Sequence, residues 1–189
     1  FACNDPATQT YFGWNKECSG IEVPEKALDF YDIKDVPHGE VRAHWYYSKV
    51  TGMWRRAMIH TPPDYDKDPQ ARYPVLYLQH GSGENERGWT SQGRANFILD
   101  NLIAEKKAQP MIVVMENGMV APRAGGTPAA AKAGVNSRRN EAFGELVVSD
   151  LIPMVDATYR TISDRTHRAI AGLSMGAGQA MQIGLGNLD

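Results

Sequence analysis

The 189-residue sequence contains no stretch of the ~18 to 20 apolar residues that a membrane-spanning helix needs, and its first residues lack a charged segment followed by an apolar run. Neither a span nor a signal segment is therefore read in it. One-sided charge is also missing: the net charge is -2 and no local run of Lys or Arg stands out, which argues against nucleic acid or an anionic membrane as partner. A small neutral or mildly acidic substrate remains open. Cysteine is scarce. Cys3 and Cys18 lie close together, either as a disulfide closing a short loop in an oxidising compartment or as two free thiols. No histidine pair has metal-ligand spacing with a carboxylate to match, so no metal is predicted.

What is present reads as alternating strands and helices. Residues 1–30 are rich in Asn, Asp, Thr, Gly and aromatics without a sustained period, and read as an arm or linker continuing from something upstream; residues 31–189 read as the N-terminal part of one domain. Between 41 and 62, two strand-like runs meet around Thr51-Gly52, the pattern of a half-buried antiparallel hairpin. Short apolar runs at 73–79, 111–115 and 167–172, with helical spacing at 96–107, 141–159 and 177–188 between and after them, predict a mostly parallel α/β sheet. The glycine- and alanine-rich stretch 117–140 is long for an unpatterned loop and reads as a flap over a site.

The chemistry centres on Gly172-Leu173-Ser174-Met175-Gly176, a Gly-x-Ser-x-Gly match between a predicted strand and a predicted helix. A serine on so tight a strand-to-helix turn needs small flanking residues, here Gly172 and Gly176, and its hydroxyl then stands clear of the chain. The Met175 N–H enters the same space and can hold a developing oxyanion at a helix start. The plain alternative is a glycine-rich helix cap with an ordinary serine. Upstream, His80-Gly81-Ser82-Gly83 ends a buried strand, where the loop beside a Gly-x-Ser-x-Gly turn supplies a second oxyanion donor, so Gly81 is the loop glycine and Ser82 supplies the N–H. His80 precedes the serine in the chain, out of order for a catalytic base in this fold, and reads as structural. Trp89 and Gln92 follow the loop as candidate pocket residues, with core packing the equal alternative for Trp89. Arg138 and Arg139 are candidates for a carboxylated substrate, against a solvated loop.

With these residues in hand, the chain resembles the "putative esterase" group of α/β hydrolases, most closely the bacterial feruloyl and acetyl-xylan esterases of carbohydrate esterase family one. The resemblance rests on Thr10-Tyr11-Phe12-Gly13-Trp14, Cys18-Ser19-Gly20-Ile21-Glu22-Val23-Pro24 and the stretches 73–89, 96–115 and 167–176. It implies an α/β-hydrolase fold with an antiparallel N-terminal hairpin, hydrolysis of feruloyl or acetyl esters of plant-wall xylan through an acyl-enzyme, no cofactor, and a secreted, periplasmic or cell-surface location. It also implies an Ig-like carbohydrate-binding domain ahead of such a start. One departure stands out. The resemblance puts the triad Asp and His after the serine, but only 15 residues follow Ser174, with no histidine and only Asp189 as an acid. The expectation is a fold cut after its nucleophile helix, whose remainder belongs to a longer protein or to a separate completing chain, or which is a truncated product without activity. Rival readings are a thioester or general carboxylesterase of the formylglutathione hydrolase kind, and a non-catalytic carbohydrate-binding module.

Overall fold

The computed structural model describes residues 4–8, 10–13, 15–23, 25, 28–120 and 135–188, of which 135–139 are described as backbone only. The long apolar and alternating runs become one five-stranded sheet. Strands β3 (Glu40–Ser48) and β4 (Met53–Thr61) form the expected hairpin, in register from Glu40 opposite Thr61 to Ser48 opposite Met53. Its turn is closed by the Gly52 N–H donating to the Ser48 carbonyl at 2.9 Å, with Gly52 at φ 69°, a conformation open to glycine without strain. Strands β5 (Val75–Gln79), β6 (Ile112–Glu116) and β7 (Arg168–Gly172) are mutually parallel, and β4 joins β6 antiparallel to give the order β3-β4-β6-β5-β7. All five residues of β6 are buried, as its unbroken apolar run requires of a strand covered on both faces.

Helices α1 (Gly88–Ser91) and α2 (Ala95–Ala104) follow β5; α3 (Val135–Leu146) and α4 (Ile152–Thr158) precede β7; α5 (Met175–Gly186) follows it. The core packs Phe143, Leu146, Leu151, Val155 and Ile183 of the later helices onto Ile59, Tyr77, Ile112 and Val114 of the sheet. Between α3 and α4 the chain widens into one π turn, Val147–Leu151, just ahead of Pro153. A proline inside a helix offers no N–H and crowds the carbonyl four residues back, and a wider turn relieves both. That turn holds Asp150, whose Oδ2 accepts from Ser48 Oγ (2.7 Å) and Val50 N (3.0 Å) and so ties the hairpin turn to the helix layer.

Two sequence readings differ from the structure. Residues read as an unpatterned arm include a small antiparallel hairpin, β1 (Thr10–Gly13) with β2 (Lys16–Ser19), docked on α1: Phe12 N donates to Gln92 Oε1 at 2.7 Å, Asn15 N to Gly83 O at 3.0 Å, and Arg87 pairs with Glu17. Four-residue strands carry too short a pattern to be seen by alternation. The loop expected through 140 ends earlier, since helix α3 begins at Val135; polar residues at 136–140 hide its apolar stripe. The flap itself, 121–134, lies outside the described residues, as do the side chains of Arg138 and Arg139, and Cys3 and Asp189. Cys18 is exposed on β2.

Buried polar groups are tied across the chain. Asp100 on α2 accepts from His60 Nε2 and His38 Nδ1, each at 3.0 Å, and from the Gly39 N–H at 3.0 Å. The other nitrogen of His38 faces the Lys34 carbonyl at 2.9 Å. Two neighbours that only accept favour a doubly protonated ring, and the carbonyl foremost, then Asp100, raises the His38 pKa against the cost of burial.

Candidate active site

The strand β7 and helix α5 meet at a turn whose dihedrals show why these residue types are needed. Ser174 sits at φ 53°, ψ -111°, a strained conformation for any side chain, and its side chain is exposed. A Cβ on Gly172 would lie 2.5 Å from the carbonyl carbon and oxygen of Gly176, and one on Gly176 would lie 2.6 Å from the Gln79 carbonyl oxygen and 2.7 Å from that of His80. Strand end and helix start therefore touch backbone to backbone. The turn is held by Gly176 N donating to Leu173 O (2.8 Å) and Leu173 N to Gln79 O (3.2 Å). Met175, first in the helix, has no intrahelical acceptor for its N–H. Among the described residues, no hydrogen-bond partner engages Ser174 Oγ.

The loop after β5 lies directly beside this turn. A Cβ on Gly81 would be in ordinary contact with the Leu173 carbonyl and with Ser174 Cβ, each at 3.8 Å. His80, 1% exposed, fixes the loop: the Gly118 N–H donates to its Nε2 at 3.0 Å, so Nδ1 carries the proton and donates to the Gly81 carbonyl at 2.7 Å. That carbonyl belongs to the same peptide as the Ser82 N–H, so the imidazole sets the plane of the second candidate oxyanion donor. The structural role read for His80 thus has a geometry, which no local pattern could show because Gly118 lies 38 residues away.

The two candidate pocket residues have other contacts. Gln92 engages both ends of its amide, accepting from Phe12 N and donating Nε2 to Glu84 Oε1 at 3.1 Å, so it anchors the β1–β2 hairpin to the loop. Trp89 is half-buried against the end of its own helix, where a Cβ on Gly93 would lie 2.8 Å from its ring. Among the described residues no group of three or more His, Cys, Asp or Glu is placed to hold a metal, and no helix is long and apolar enough to cross a membrane.

A strained, exposed serine at a glycine-flanked strand-to-helix turn, beside a strand-end loop, is the nucleophile arrangement of an α/β hydrolase. Residues 48–189 match the model of the family described as "Putative esterase". The chain belongs to this esterase family. It is 42% identical over 186 residues to an endo-1,4-beta-xylanase/feruloyl esterase of Xylanibacter ruminicola, covering 96% of this chain and 25% of that protein, and 31% identical over 140 residues to the esterase Rv1288 of Mycobacterium tuberculosis, covering 73% and 28%. The chain thus spans about a quarter of the length of these curated relatives. Among solved structures it is similar to a ferulic acid esterase of Anaeromyces mucronatus in complex with ferulic acid, with a TM-score of 0.71, 25% identity and coverage of 87% of this chain and 60% of that one. A second ferulic acid esterase gives a TM-score of 0.67 at 29% identity, covering 81% and 56%. The fold is that of the α/β-hydrolase feruloyl esterases, with the antiparallel β3–β4 hairpin leading into parallel strands.

One further ionisable group lies at the same end of the sheet. Glu116, last in β6, is 1% exposed and accepts from Arg55 Nε at 2.9 Å; its Oε2 is buried without a partner. Burial pushes its pKa up to about 7 against the opposing pull of the Arg55 guanidinium. The folded carboxyl therefore holds its proton to higher pH than the unfolded one. Its contribution favours folding fully below the ordinary value near 4.5 and is lost as pH rises to about 7. Stability should fall over that window by roughly 3 kcal/mol from this group. Glu116→Gln should flatten the fall, read as the difference in urea midpoint between pH 5 and pH 8; an undiminished difference would assign it to other groups.

Proposed function

We propose that the protein is a serine esterase that hydrolyses feruloyl esters of plant cell-wall xylan through an acyl-enzyme, at Ser174. The observation that carries this is Ser174 itself, exposed at φ 53° and in contact range of Gly81, in a chain similar to proteins whose names state feruloyl esterase. The serine oxygen attacks the ester carbonyl as a general base takes its proton, and the carbonyl oxygen becomes an oxyanion facing the N–H groups of Met175 and Ser82. Collapse expels the sugar alcohol, which takes the proton back, and water then releases the hydroxycinnamic acid by the same path. The general base and the acid that orients it are not assigned among the described residues. No cofactor takes part. A polysaccharide substrate goes with a secreted, periplasmic or cell-surface location.

The coarser alternative is an acetyl-xylan or general carboxylesterase of the same fold. Release of ferulate from feruloylated arabinoxylan, measured beside release of acetate from acetylated xylan, tests it on the intact protein. A ferulate preference of about tenfold or more in kcat/KM is expected; the reverse preference would move the assignment to acetyl esters.

A further inference from the structure

The sheet carries aromatic side chains that the catalytic arrangement does not use. On β3 and β4, Trp45 is 59% exposed, Tyr47 53% and Trp54 65%. The register sets Tyr47 opposite Trp54 and Trp45 opposite Arg56, so all four share one face at one end of the hairpin. Tyr47 meets Trp54 edge-on at 5.9 Å, and the Arg56 guanidinium lies 5.3 Å from the centre of the Trp45 ring. Between the two indoles a recess of about 220 Å³ is lined by Arg55, Arg56, Glu86, Glu116 and Asn117. Arg56 donates to Glu86 at 2.8 Å and Arg55 to Glu116 at 2.9 Å, so each guanidinium is engaged by an acidic side chain.

We propose that this face is an accessory subsite that holds the β-linked pentose main chain of the polysaccharide while its acylated substituent reaches Ser174. The inference rests on the esterase reading above. Exposed indoles flanking hydrogen-bonding groups suit a sugar, whose apolar ring face stacks while its hydroxyls find amide, guanidinium and carboxylate. Guanidiniums already engaged by acidic side chains favour a neutral glycan over an anionic polymer. The recess adjoins the loop that follows β5. Glu86 follows Ser82 in the loop after β5, and Asn117 adjoins Gly118, whose N–H donates to His80. The recess lies at the same end of the sheet as Ser174, with β4 three strand positions from β7, roughly 14 Å at ordinary strand spacing. A polymer lying across the ends of β5 and β6 spans that distance in a few sugar units.

The test uses the intact protein with Ser174→Ala to stop turnover, and affinity electrophoresis through gels containing de-esterified arabinoxylan. Adding Trp45→Ala and Trp54→Ala should weaken retention by about tenfold or more. With Ser174 restored, the same two substitutions should lower kcat/KM on feruloylated arabinoxylan relative to that on methyl ferulate by a similar factor. Equal retention, an equal loss on both substrates, or a change of sedimentation coefficient showing that the face joins two copies of the chain would each overturn the proposal. Should the double variant lose its fold by near-UV circular dichroism, tryptophan fluorescence of the Ser174→Ala protein titrated with xylohexaose decides instead, and an unchanged spectrum overturns it. Absence of any feruloyl hydrolysis would sink the esterase reading, while the retention measurement would still decide the subsite.

Discussion

Ser174→Ala is expected to lower feruloyl ester turnover by the intact protein on the order of a million-fold, and to abolish the mass increase that a fluorophosphonate is expected to produce on the unsubstituted protein. The proposed oxyanion donors are backbone groups and survive the substitution, so a small rate above that in water should persist. Stability should separate from activity at this position. Ser174 occupies φ 53°, ψ -111°, where any side chain is strained and glycine is not. Ser174→Gly is therefore expected to be as inert as the alanine variant and more stable by about 1 kcal/mol, less than the strain relieved because glycine also frees the unfolded chain. Urea denaturation of both variants measures this. A serine whose removal left turnover intact would refute the assignment of the nucleophile, and a glycine variant less stable than alanine would refute the strain.

The geometry of this turn was legible in the sequence because it depends on local spacing. Gly172, Ser174 and Gly176 fall within five residues, and the apolar run of β7 before them and the α5 pattern after them mark the strand-to-helix setting. The β3–β4 hairpin was legible for the same reason: two nine-residue strand-like runs flank the turn at Thr51-Gly52. What escaped depends on partners far along the chain. The amide of Gln92 suggests a substrate contact until Phe12, 80 residues earlier, is seen to donate to it. His80 gives no sign that Gly118 fixes its tautomer, and Asp100 none that it gathers His38 and His60. Trp45, Tyr47 and Trp54 read as ordinary strand residues, since alternation assigns a face but not whether anything covers it.

Gly176→Ala should damage fold and catalysis together, whereas Gly178→Ala two residues later should not. The added methyl at 176 would lie 2.6 Å and 2.7 Å from the carbonyl oxygens of Gln79 and His80. Both belong to backbone, β5's last residue and the first of the loop, so neither can swing away as a side chain would. Relief requires α5 to lift from the end of β5, and overpacking of this kind costs about 1–3 kcal/mol. That same displacement separates Ser174 and the Met175 N–H from the Gly81-Ser82 peptide. A shift of about 1 Å in such a constellation can cost on the order of a hundredfold in kcat. At Gly178 a Cβ meets nothing within 4 Å, and alanine in an exposed helical position should add about 0.5–1 kcal/mol. Urea midpoints and kcat on methyl ferulate for the two variants form the comparison. If Gly176→Ala kept both, the backbone contact between α5 and β5 would not be what holds the nucleophile beside its oxyanion donors.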